Sequence, residues 1–150
     1  MFNWNEFLYL AEEYYESCKD QGYKNSEARL RCSISRAYYA AYHAGRRYII
    51  KKQKYNPFEG KPEDHKTLTE ILKYDPLTSS IAAALIDLRL SRNEADYQDT
   101  ILPQSKVSSS ISKLALSRPV NRPAFHQKAD QALNKARKII QKLEELEKNL

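Results

Sequence analysis

Apolar positions recur along this chain at the three- and four-residue spacing of helices, and breakers separate the stretches. From residue 3 to 21, Trp4, Phe7, Leu8, Ala11, Tyr14, Tyr15 and Cys18 share one face. Asn3 or Asn5 can cap the start and Gly22 suits the end. The longest stretch runs from 25 to about 54 with no proline inside. Its apolar stripe is Leu30, Ile34, Ala37, Tyr38, Ala41, Gly45, Tyr48 and Ile49. Ser26 is its candidate cap, with Arg29 where a capping box would place Glu. Glycine inside a helix costs about 1 kcal/mol against alanine, so Gly45 predicts a closely packed neighbour.

Residues 56–62 read as a loop, and Glu63 to Tyr74 as a short helix stopped by Asp75-Pro76. Thr78 to about Tyr97 is a further long helix carrying Ile81, Ala84, Leu85 and Leu88. From about 101 to 123 a Ser/Pro-rich connector intervenes, in which Val107, Ile111 and Leu114 keep the spacing of a short helix. The last helix runs from about Arg122 to Glu147, with Asn121 as candidate cap. Its stripe is Ala129, Ala132, Leu133, Ala136, Ile139, Ile140, Leu143 and Leu146. No alternating β-branched run predicts a strand, and there is no internal repeat. The expected fold is all-α: one domain over 1–150, an up-and-down bundle of four to five helices.

Composition narrows the classes. At 150 residues, 41% hydrophobic and 29% charged, with 3 Gly, the chain can bury a core and is neither fibrous nor low-complexity. The longest wholly apolar run, Ile81 to Ile86, is far short of the roughly 20 residues that span a bilayer. With no basic and apolar leader at the N-terminus, the expectation is a cytoplasmic protein with no membrane partner. Cys18 and Cys32 read as free thiols. Three His without a Cys-x-x-Cys, and no glycine-rich phosphate loop, lead us to expect no metal and no cofactor.

Eleven Tyr and a net charge of +6 suggest nucleic acid, because cations pair with phosphates and aromatic faces stack on bases. The charge is unevenly spread. Residues 23–54 carry nine basic groups against one acidic, and 101–150 ten against four. Residues 1–22 and 55–100 are each net acidic. At 100° per residue, Arg29, Arg36, His43 and Arg47 fall on one side of the second helix, flanked by Cys32, Tyr39 and Ile50. Such a stripe is a solvated basic face, a nucleic-acid groove or a subunit interface.

The densest polar cluster is Leu88-Arg89-Leu90-Ser91-Arg92-Asn93-Glu94-Ala95-Asp96-Tyr97. On a helix Arg89, Arg92 and Asp96 share a face. Arg92 and Asp96 can form a plain surface pair, or the arginines can hold a phosphate while Asp96 orients them.

Two segments carry a family resemblance. Ser35-Arg36-Ala37-Tyr38-Tyr39-Ala40-Ala41-Tyr42-His43-Ala44 resembles the Ser-Arg-x-Tyr-Tyr-Ala-x-Phe/Tyr-His-Ala signature of the HEPN superfamily. The 88–97 segment is similar to the Leu-Arg-x-x-Arg-x-x-Ala-Asp-Tyr pattern of a branch of small prokaryotic members. The likeness covers about residues 5 to 100 and the last helix. It implies a helical bundle that commonly forms a homodimer. Many members are metal-independent endoribonucleases, toxins paired with a small nucleotidyltransferase or parts of defence systems. Their catalytic Arg is followed by a polar residue and then a His. Here Arg92-Asn93 fits the first part, but Asp96 and Tyr97 occupy the place of the His.

Metal-free RNA cleavage needs a base for the 2′-OH proton and a cation for the phosphorane. Arg92 can be the cation; Asp and Tyr titrate far from neutrality, so His43 or His65 would have to act through space. His126 is less relevant. The candidate catalytic residues are thus Arg92, Asp96, His43 and His65. The candidate RNA- or nucleotide-binding residues are Arg36, Tyr39, Arg47, Arg89, Asn93 and Tyr97. The alternative is a non-catalytic binding or dimerisation adaptor, for example with a nucleotidyltransferase partner.

Overall fold

A computed structural model of the chain describes residues 2–19, 25–98 and 122–150. The expected caps Gly22 and Asn121, the Ser/Pro-rich connector and its short helix fall outside the described residues, apart from the connector's last two positions. Five helices follow in order: α1 Asn5–Glu16, α2 Ser26–Gln53, α3 Asp64–Tyr74, α4 Ser79–Tyr97 and α5 Arg122–Glu147. Among the described residues there is no strand, and no helix is long and apolar enough to cross a membrane.

The first helix is shorter than its apolar pattern suggests. It starts at Asn5, whose N–H donates to Asn3 Oδ1 at 3.2 Å, and it stops at Glu16. There the Ser17 hydroxyl donates back to the Tyr14 carbonyl at 2.8 Å, the local competition that makes serine a poor helix continuer. Ser26 is not the cap of α2 but its first residue. Asn25 precedes it in the left-handed region, φ 63°, and caps with no side-chain bond.

The central helix α2 packs most extensively on α5, then on α1 and α4. Every residue of its predicted stripe is buried. Ala37, Ala40, Ala41 and Ala44 keep its surface low, so neighbours approach closely. A Cβ on Gly45 would stand 3.1 Å from Leu68 Cδ2, which accounts for the glycine. On α1 only Ala11 is fully buried, and its carbonyl accepts from the buried Ser33 hydroxyl at 2.7 Å. The predicted stripe of α5 is buried from Ala129 to Leu143 and half-buried at Leu146.

One arginine fixes the C-terminal end of α4 in the bundle. Arg31 of α2 donates through Nη1 to the carbonyls of Ala95 at 2.9 Å and Gln98 at 2.6 Å. Its guanidinium lies 4.5 Å from the Phe125 ring centroid. These contacts satisfy carbonyls that the helix end leaves open and fix the last turn of α4 against α2 and α5.

Candidate functional site

The described chain forms a cleft of about 460 Å³ between α2, the 59–62 loop, α3 and α4. Tyr39, Tyr42 and Arg46 line it from α2, Lys61 from the loop, Asp64 and His65 from α3, and Arg89, Arg92 and Tyr97 from α4. Four cations thus share a concave wall with one carboxylate.

Arg92 is the most constrained of the four. Its Nη2 donates to the Tyr39 hydroxyl at 2.5 Å and its Nη1 to Asn93 Oδ1 at 2.9 Å. Its Nε lies 2.8 Å from Asp96 Oδ2, an ion pair whose N–H direction closes no hydrogen bond. The guanidinium stands 5.1 Å from the Tyr39 ring centroid and 5.5 Å from that of Tyr97. Asp96 also accepts from the Ser35 hydroxyl at 3.3 Å. Asp96 and Asn93 therefore orient the arginine.

His65 enters the same cleft although it lies 27 positions before Arg92 in sequence. Its Nδ1 lies 2.5 Å from the Tyr38 hydroxyl, and its ring 4.2 Å from that of Tyr42. Burial, reinforced by Arg89 and Arg92, lowers its pKa to about 4, so the imidazole is neutral at pH 7. Burial likewise lifts the Tyr38 phenol well above its usual range. A neutral phenol and a neutral imidazole share this contact. If the phenol donates, the ring proton sits on Nε2; if the ring donates, Nε2 keeps a lone pair.

Asp64 has a different task. Its carboxylate accepts from the backbone N–H groups of Glu59, Gly60 and Lys61 at 3.1, 2.7 and 3.2 Å. Burial acts to raise its pKa, but these three bonds and Arg46 outweigh that and hold it below the ordinary value. The loop carrying Lys61 is thereby tied to the start of α3. Gly60 in this turn has φ +79°, a backbone position suited to glycine.

The basic stripe predicted on α2 does not form one surface. Arg29 stands over Tyr14 at 5.9 Å, and Arg36 over Phe7 at 5.1 Å. His43 stacks on Trp4 with centroids 3.3 Å apart and planes 9° apart. Burial first, then Arg46 and His65, lowers its pKa to about 4. Arg47 pairs with Glu147 at 2.9 Å and Glu144 at 3.8 Å on α5. Arg36, His43 and Arg47 thus lie outside the cleft lining, covered by Phe7 and Trp4 or neutralised by α5. Of the candidate residues, Tyr39, His65, Arg89, Arg92 and Tyr97 line the cleft, while Asn93 and Asp96 hold Arg92.

Sequence reasoning missed Tyr42, Arg46, Lys61 and Asp64, and placed Tyr38 in the core alone. A signal existed on α2: Tyr39, Tyr42 and Arg46 stand at i, i+3 and i+7, one helical face. Nothing local marked Lys61 or Asp64. Among the described residues no group of three His, Cys, Asp or Glu side chains could hold a metal. Cys18 is buried and Cys32 exposed, both as free thiols. What the cleft can do chemically is hold an anion in a partly aromatic, partly dry setting. No family model, no curated protein and no solved structure matches this chain.

Proposed function

We propose that this is a HEPN-like protein that binds RNA or a nucleotide by its phosphate in this cleft. The observation that carries the reading is Arg92, clamped by Tyr39 and Asn93 beside Arg89, the neutral His65 and the three-quarters exposed face of Tyr97. Fixed guanidinium donors suit phosphate oxygens, and exposed tyrosine faces suit bases. The test is anisotropy of a labelled mixed-sequence RNA with wild type and Arg92→Ala at two salt concentrations. Wild-type affinity should fall steeply with salt, and the variant should bind about tenfold more weakly. Salt-independent affinity, or equal binding by the variant, overturns the reading.

A second reading, metal-independent endoribonuclease, is favoured by His65 sharing the cleft with Arg89 and Arg92. Arg92 would meet the charge growing on the phosphorane and His65 would move the proton, with Nδ1–H donating to Tyr38 so that Nε2 is free. A bound phosphate would raise the His65 pKa toward neutrality, because a nearby anion favours the imidazolium. Cleavage of RNA in EDTA by wild type and not by Arg92→Ala is the expected result. No cleavage by either removes the enzyme reading.

The same resemblance supports a homodimer, and a nucleotidyltransferase partner in a toxin or defence setting in the cytoplasm. Ile86, Leu90 and Tyr97, 46%, 51% and 75% exposed, form an open apolar row on α4 that suits such a contact. Sedimentation of wild type and Tyr97→Asp tests it: a monomer in both cases ends the idea.

A further inference from the structure

Some donors of the cleft are spent and others are not. Arg92 gives hydrogen bonds to Tyr39 and Asn93 and pairs with Asp96. Lys61 pairs with Glu59. Arg89 lines the cleft, yet among the described residues it has no hydrogen bond and no ion pair. The same holds for Arg46, whose guanidinium lies 5.7 Å from the Tyr42 ring centroid and 4.9 Å from that of Phe58. Its Nε is enclosed, whereas its two terminal nitrogens remain open.

Tyr42 is the third unused donor. It lines the cleft and is 5% exposed, and its hydroxyl has no hydrogen bond among the described residues. A phenol this deep ordinarily finds a partner, as Tyr38 does in His65. Burial raises the Tyr42 pKa against the charges of Arg46 and Arg89, so the group is a neutral O–H donor at pH 7. His65 relates the three donors. Its ring lies 4.2 Å from that of Tyr42, and both arginine charges add to the burial that keeps it neutral. Asp64, the carboxylate of the lining, feels Arg46 but gives its oxygens to three backbone N–H groups. Asp96 belongs to Arg92. Unpaired donors in a partly dry site cost free energy that an arriving anion would recover.

We infer that one phosphate group binds beside His65, held by Arg46, Arg89 and the Tyr42 hydroxyl. This rests on the phosphate-binding reading of the cleft and adds Arg46 and Tyr42 to it. Arg92, tethered by Tyr39 and Asn93, completes the wall. Phosphate oxygens are tetrahedral, which suits donors arriving from both α2 and α4, whereas those of a carboxylate lie in one plane. The end of a nucleotide and an internal linkage of a strand both present such a group.

The experiment is calorimetry of the full chain with UMP, whose phosphate is terminal, UpU, whose single phosphate is internal, and uridine, which has none. Wild type should bind UMP or UpU at least about tenfold tighter than uridine, and the tighter of the two identifies the source of the phosphate. Arg46→Gln, Arg89→Gln and Tyr42→Phe should each weaken that probe about tenfold. Tyr42→Phe should keep the urea midpoint of the free protein, because its hydroxyl has no partner to lose. Lys73→Gln removes an exposed charge on α3 outside the cleft lining and should stay within about twofold of wild type. Wild-type affinity in Tyr42→Phe or in Arg46→Gln overturns the inference. So does a loss in Lys73→Gln equal to theirs, the mark of a diffuse field rather than a grip. In each of those cases a loss on Arg92→Ala leaves the phosphate reading of the cleft standing. If wild type binds neither UMP nor UpU better than uridine, the inference and that reading both fail.

Discussion

The Tyr38 hydroxyl lies 2.5 Å from Nδ1 of His65, joining the middle of the longest helix to the first turn of α3 inside the cleft. Tyr38 is 2% exposed, while His65 lines the cleft, so the bond is part-buried. Replacing Tyr38 by Phe keeps the ring and deletes the partner. The expected loss is about 1–3 kcal/mol in urea unfolding, the cost of an orphaned polar group. Nitrogen NMR of His65 should show the tautomer balance change. A variant as stable as wild type, with the His65 spectrum unmoved, would count against the bond.

Acid should destabilise the protein before its carboxylates titrate. His43 and His65 have native pKa values of about 4, below the ordinary 6.5. The unfolded chain therefore binds more protons between these values, and stability rises with pH across that window. It is complete above about 6.5, falls on acidification, and is lost by about 4. Allowing for solvent screening, each histidine should contribute about 1 kcal/mol. Urea midpoints measured from pH 7 to 4 check this, and His43→Gln should flatten the profile. Trp4→Ala should move the His43 pKa back toward 6.5, because it removes the stacked ring that dries the imidazole.

Gly45 is a packing glycine. A Cβ there would meet Leu68 Cδ2 at 3.1 Å, and Leu68 is itself fully buried. Gly45→Val should cost about 1–3 kcal/mol through overpacking. In Gly45→Ala the helix-propensity gain of about 1 kcal/mol opposes a milder clash, so the net change should be small. Thermal unfolding of the two variants separates the effects. Equal stability of Gly45→Val and wild type would remove the explanation.

Asp64→Asn should loosen the 59–61 loop. Hydrogen bonds to a charged acceptor are worth about 1.5–3 kcal/mol each, and a neutral amide oxygen keeps only part of that. We expect a stability loss of about 1–2 kcal/mol, with faster amide exchange at Glu59, Gly60 and Lys61. Because the Asp64 pKa is lowered in the native state, the loss should shrink as pH falls below the carboxylate range. An Asn variant with wild-type exchange at these three amides would refute the tether.

The helices were largely legible because their signals are local. The start and end of α5, the stop of α3 before Pro76 and the buried stripe of α2 all follow from residues within a few turns. The overlong reading of α1 fails for a local reason too: Ser17 bonds its own backbone rather than extending the helix. The Arg92–Asp96 pair was readable from i, i+4 spacing.

The site was half legible. Arg47 and Arg46 are sequence neighbours, yet one turns to Glu147 on α5 and the other to the cleft. A step of 100° separates them, and only the partners packed on each side decide which cation is spent in an ion pair. His43, part of the resembling motif, was an attractive base, but Trp4 covers it.

By itself, the sequence determined the helical periods, their breakers and the apolar faces, since these depend on spacing along one chain. Only the tertiary structure decided that Arg46, Lys61, His65 and Arg92 share one cleft while Arg36, His43 and Arg47 do not. That choice depends on how each helix is rotated about its axis when its apolar face is buried, and on which distant groups then come within hydrogen-bonding range.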